Sequence, residues 1–172
     1  MSGSASSNLT RVADAAERAL AWLLVGLMGV MVIDVAWQVA SRFVFRAPSS
    51  FTEELAGFLL IWIGLLGAAY GFRTRAHLGI DLLVSGLRGG ARKGVTALAH
   101  TLVALFALSA MVVGGYLLVR LAFQLNQISA SMGLRMGFVY LALPLAGILV
   151  TLFSVESIVQ TLRAPGRAGD GP

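Results

Sequence analysis

The side chains able to do chemistry in this sequence are few and widely spaced. There are eight carboxylates, two histidines and no cysteine, so disulfides, thiolate metal sites and a cysteine nucleophile are excluded. Asp34 interrupts a long apolar run, and an intramembrane acid is by default a candidate functional group. Two roles suit it: proton coupling in a small transporter complete in itself, or pairing with a polar group of another helix or subunit. Glu53 and Glu54 stand together before a second apolar run. They have the charge to bind a cation. Ser50-x-x-Glu53 also reads as a capping box, which places both acids where a helix N-terminus favours negative charge. His77 and His100 flank an apolar boundary, one after the second run and one inside the third, as a bis-histidine haem held between two helices requires. His77 equally suits a helix C-terminus, where an imidazole meets the dipole and the lipid headgroups. Arg42, Arg46, Arg120 and Arg135 have the charge to dock an acidic protein face, or to reach the headgroups as long basic side chains do at a membrane boundary.

The elements that must position these groups are membrane helices. With 58% hydrophobic residues, 12% charged residues and a mean hydropathy of +0.84, the chain is too apolar for a soluble domain. Its +5 charge is scattered singly between apolar runs, a pattern of topology signals rather than a nucleic-acid surface. The expected class is all-α, a single membrane domain over 19–160 with four transmembrane helices at about 19–41, 54–72, 95–119 and 136–155. Residues 1–18 read as a lead, frayed over 1–8 and amphipathic after that, and 161–172 as a mobile tail. Between the second and third spans, Ile80, Leu83, Val84 and Leu87 fall opposite Asp81, Ser85, Arg88 and Arg92. That pattern predicts a short amphipathic helix over about 78–88, lying along the membrane surface.

Packing signals accompany the spans. Gly57, Gly64 and Gly71 recur every seven residues on the second, and Gly67–Gly71 is a GxxxG face that either a partner subunit or another helix of this chain fills. Ala110-x-x-x-Gly114 marks a contact face on the third, and Pro144 a kink in the fourth. Lys and Arg concentrate in the N-terminal lead, the second connection and the tail, nine residues against four in the other two connections. The positive-inside rule therefore places both termini and the amphipathic helix in the cytoplasm, with Glu53 and Glu54 facing out.

In order along the chain come Arg42-Phe-Val-Phe-Arg46, Ser50-Phe-Thr-Glu-Glu-Leu-Ala56, Trp62, Gly67-Ala-Ala69, His77-Leu-Gly-Ile-Asp81-Leu-Leu83 and Tyr140-Leu-Ala-Leu-Pro144. Over about residues 20–160 this series resembles the small membrane subunit of tripartite ATP-independent periplasmic (TRAP) transporters. Three positions depart from that pattern. Arg135 and Gly137 stand where members often carry Pro and Trp, and Gly57 where a basic residue is common. The resemblance implies a multi-pass protein of the bacterial inner membrane with no enzymatic activity and no cofactor. It implies two protein partners, a large membrane subunit with the substrate and sodium sites and a periplasmic substrate-binding protein that captures a carboxylate-bearing solute. The small subunit then braces the static scaffold of the large one. The absence of a broken helix pair or an inverted repeat agrees with a chain that carries no solute pathway of its own. Two rival readings remain at this level: a self-sufficient proton-coupled exporter using Asp34, and a haem anchor using His77 and His100.

Overall fold

A computed structural model of the chain describes residues 2–44, 49–84 and 90–163; the side chains of 2–8, 75–84, 90, 92 and 163 lie outside the described set. The described residues form α1 (Ser2–Phe43), α2 (Ser50–Val84), α3 (Gly90–Phe106), a π-helical segment (Ala107–Val113), α4 (Gly114–Gln124), α5 (Met136–Tyr140) and α6 (Ala142–Arg163). Four stretches, Leu9–Phe43, Ser50–Thr74, Lys93–Gln124 and Met136–Leu162, are long and apolar enough to cross a bilayer. The all-α, four-span class expected from hydropathy is the class observed.

Boundaries differ from the expectation wherever a helix outruns its apolar core. α1 is one helix of 42 residues, about 63 Å at ~1.5 Å per residue, so the expected frayed tail and separate lead are its first turns. α2 likewise runs 35 residues without a break. Residues 78–84 of the expected surface helix are therefore the continuation of α2 rather than an element set off from it, and 85–88 lie outside the described residues. Once a helix is nucleated each further residue adds a hydrogen bond, and between Thr74 and Val84 only Gly79 opposes this, at about 1 kcal/mol. The third span extends to Gln124, and α6 continues through Arg163 into the expected tail.

Sequence spacing explains the packing of α1 on α2. On α1, Ala13, Leu20, Leu27, Asp34 and Ser41 recur at seven-residue intervals and form a narrow inward stripe. Thr52, Leu59, Leu66 and Arg73 do the same on α2. A seven-residue repeat keeps one seam facing an antiparallel neighbour along the whole helix. Ala16 and Leu24 flank the stripe half-buried, and much of the remaining described surface of α1, including Trp22, Val25, Val32 and Ile33, is exposed, as side chains that meet lipid are.

α6 is the central helix. It contacts α1, α2, α3, the π-helical segment, α4 and α5, whereas among the described residues α1 makes no contact with the third span. Three glycines make close approaches possible here. A Cβ on Gly147 would lie 2.7 Å from Met111 Cβ, one on Gly115 2.8 Å from Pro144 Cδ, and one on Gly137 2.6 Å from the Phe123 ring. The Ala110/Gly114 face expected from spacing is not the one that packs on the fourth span. Ala110 is exposed, and the third span presents Ala107, Met111, Gly115 and Val119 instead. The cause is the π-helical segment, whose i to i+5 bonding shifts the phase of the helix. Pro144 has no N–H to donate, and the fourth span breaks just before it, at Leu141 between α5 and α6.

These contacts predict opposite responses to the same enlargement. Gly147→Leu should destabilise the isolated chain by about 1–3 kcal/mol through overpacking against Met111, measured by unfolding in detergent. Gly64→Leu, where nothing lies within 4 Å, should leave that stability unchanged.

Candidate functional site

The polar groups that matter sit at the two ends of the bundle, and the ion cluster at one end is the site that sequence reasoning missed. Arg73, the last stripe residue of α2, projects its guanidinium between α1 and α6. Its Nη2 donates to Asp14 Oδ1 at 2.8 Å, its Nε to Glu17 Oε2 at 3.2 Å, and its Nη1 to Glu156 Oε2. Gln160 Nε2 donates to the other oxygen of Glu156 at 2.7 Å, and the guanidinium carbon lies 5.6 Å from the centroid of the Phe153 ring. Glu156 is 1% exposed, whereas Asp14 keeps 50% of its side-chain surface. One cation thus serves three carboxylates from two other helices, and the planar fork of an arginine is suited to that. A usable signal existed in the sequence: alternating spans put residues 14, 17, 73 and 156 at the same membrane face.

At the opposite end, Glu54 does not cap its own helix. α2 starts at Ser50, and its first turn is closed by Thr52 Oγ1 donating to Ser49 O at 2.9 Å and Glu53 N to Ser49 O at 3.4 Å. The expected Ser50/Glu53 capping box gives way to Ser49 in the cap position. Glu54 Oε2 instead accepts from the backbone N–H groups of Ser131 at 2.8 Å and Met132 at 3.1 Å. It clasps the connection between the third and fourth spans. Glu53 is exposed.

The remaining candidates are scattered rather than convergent. Asp34 is 6% exposed on the inward stripe of α1, and its Oδ2 makes no hydrogen bond. It is buried among residues of this chain. His100 is buried edge-to-face on Phe72, ring centroids 5.9 Å apart; the side chains of His77 and Asp81 lie outside the described residues. Arg42, Arg120 and Arg135 are exposed, and Arg46 lies outside the described residues. Trp62 packs against the core cluster, Tyr140 is half-buried at the break in the fourth span, and Pro144 seats against Gly115. A Cβ on Gly57, Gly64, Gly67 or Gly71 would meet nothing within 4 Å. Among the described residues no group of three His, Cys, Asp or Glu is arranged to hold a metal ion.

Four apolar spans packed about α6, with polar contacts gathered at the two ends, describe the arrangement of the described residues. Residues 30–164 match the model of the family described as tripartite ATP-independent periplasmic transporters, DctQ component. The chain belongs to this family. It is 27% identical over 146 residues to a putative TRAP transporter small permease protein of Haemophilus influenzae, covering 85% of this chain and 89% of that one. It is 25% identical to the sialic acid TRAP transporter small permease protein SiaQ of Vibrio cholerae, over 82% of this chain and 80% of that one. To the C4-dicarboxylate TRAP transporter small permease protein DctQ of Rhodobacter capsulatus it is 33% identical, over 57% of this chain and 43% of that one. The DctQ-family chain is thus a small permease subunit of a transporter, multi-pass in the bacterial inner membrane, and not an enzyme. Small permeases of this family work with a large permease subunit.

The ion cluster sets a stability test. Arg73→Gln leaves Glu156 buried without its cation and should cost about 3–5 kcal/mol in detergent unfolding. The double variant Arg73→Gln with Glu156→Gln should recover most of that loss. Asp14→Asn, at a half-exposed carboxylate, should cost no more than about 1 kcal/mol.

Proposed function

We propose that this chain is the small membrane subunit of a sodium-coupled, binding-protein-dependent TRAP transporter, and that it braces the scaffold of the large membrane subunit while other polypeptides carry the solute. The observation that carries the bracing role is the unfilled glycine face of α2. Gly57, Gly64 and Gly71 lie five positions on from the inward stripe Thr52, Leu59 and Leu66, or about 140° around the helix at ~100° per residue. Elsewhere in the chain glycine lets one helix approach another, at Gly115, Gly137 and Gly147. On α2 the same device has no occupant, and a helix of the large subunit supplies one.

The rest of the reading is supported in the same direction. Sialic acid and C4-dicarboxylates, named for two relatives, both bear carboxylates, which favours a carboxylate-bearing solute captured by a periplasmic binding protein. Asp34, the acid a self-sufficient exporter would use, is buried on the inward stripe of α1 at 6% exposure, which favours a packed position over a solvated one. The distribution of Lys and Arg favours cytoplasmic termini, with the Arg73 cluster at the cytoplasmic boundary and Glu54 at the periplasmic one.

Replacing Gly57, Gly64 and Gly71 together by Leu should abolish co-purification with the large subunit and lower solute uptake by more than about tenfold, while unfolding of the isolated chain stays as in the parent. Undiminished co-purification would show that the partner sits elsewhere. Solute movement into liposomes holding this chain alone would remove the bracing role altogether. A topology reporter fused after Pro172 should read as cytoplasmic.

A further inference from the structure

The connection between the third and fourth spans is a built element rather than a slack loop. Ile128 and Arg135 form an isolated antiparallel bridge, Ser129 N donates to Leu134 O at 2.8 Å, and Met136 N to Gln127 O at 2.9 Å. Gly133, at φ +66°, provides the left-handed turn that lets Gly133 N reach Ser129 O at 3.2 Å. Glu54 holds the tip through Ser131 N and Met132 N. Ser129 is buried on one side of this hairpin.

Its other side is apolar and basic at once. Residues directly opposite in an antiparallel pair point to the same face, so the Ile128 side chain lies beside that of Arg135, and both are exposed. Phe138, three residues on and also exposed, lies over the same turn and stacks edge-to-face on Phe123 with ring centroids 5.3 Å apart. The hairpin's depth follows from the fourth span. Its uncharged stretch Met136–Val155 covers roughly 30 Å at ~1.5 Å per residue, the thickness of the hydrocarbon core. That puts Met136 at the hydrocarbon boundary and Arg135 with the hairpin in the headgroup layer. Arg120, about one turn before the end of α4, adds a second exposed cation near this level, and the carboxylate of Glu54 is already engaged by backbone N–H groups.

We propose that the 125–135 hairpin is a lipid-docking element: Phe123, Ile128 and Phe138 enter the boundary of the acyl region while Arg135 binds the phosphate of an anionic phospholipid headgroup. The occupant is lipid rather than protein because apolar side chains and a cation share one face at the depth where a bilayer offers acyl chain and phosphate together. The proposal rests on the spans and the hairpin geometry, and holds whichever way the chain is oriented and whatever partner α2 meets.

The chain has no cysteine, so one reporter can be placed without background. The full chain carrying Ile128→Cys, labelled with an environment-sensitive fluorophore, is reconstituted into phosphatidylcholine or phosphatidylglycerol vesicles containing a brominated form of the same lipid. Blue-shifted emission, quenched about fivefold more effectively by brominated phosphatidylglycerol, is expected. Adding Arg135→Gln should bring that ratio to about one, and Arg135→Lys should keep it above one. Water-like emission in both vesicles, or equal quenching by both lipids with Arg135 present, overturns the proposal. So does emission that becomes apolar only on addition of a substrate-binding protein, which would assign the face to a protein partner.

Discussion

One guanidinium holds three helices at one end of this molecule. Between hydrocarbon and water, a carboxylate as buried as Glu156 persists only if a cation and hydrogen-bond donors meet it there. Arg73 and Gln160 do so, and because Arg73 also engages Asp14 and Glu17, the level of α1 against α2 and α6 is set at the same point. Apolar stripes alone do not fix that level well, since a helix can slide along a seam of similar side chains. A directional fork of N–H groups resists such sliding.

From that point the seven-residue stripes carry the packing toward the other face of the membrane. They make α1 an outer helix attached along one narrow edge, with most of its surface left to lipid. The fourth span is built differently. It lies at the centre, its contacts with the third span depend on glycines and on the phase shift of the π-helical segment, and its proline is accommodated by a break rather than by strain in a continuous helix. The molecule therefore has a tight half around α6 and a looser edge around α1. The unfilled glycine face belongs to α2, which lies between them.

The two ends use their acids in different ways. Near Arg73 the carboxylates gather about a cation from another helix; at the far end Glu54 accepts backbone N–H groups of a hairpin 77 and 78 residues further along the chain. In both cases a side chain satisfies polar groups that neighbour the apolar core, where an unmade hydrogen bond is costly. Asp34 Oδ2 and Ser154 Oγ differ, being buried without a hydrogen-bond partner, Asp34 on a stripe of otherwise small or apolar residues.

By itself the sequence determined the helical class, the four spans and the family. Those follow from local quantities: the length of each apolar run against the bilayer, and ordered motifs such as Ser50–Ala56 and His77–Leu83. The sequence does not show that residues 78–84 continue α2, because amphipathic spacing is the same whether a segment starts a new helix or continues an old one. Only the tertiary structure decided which charges meet, since Asp14, Glu17, Arg73 and Glu156 are brought together by packing across 56 to 83 residues of chain. It alone decided which glycines are filled, because a small residue records that an approach is possible and not which helix makes it.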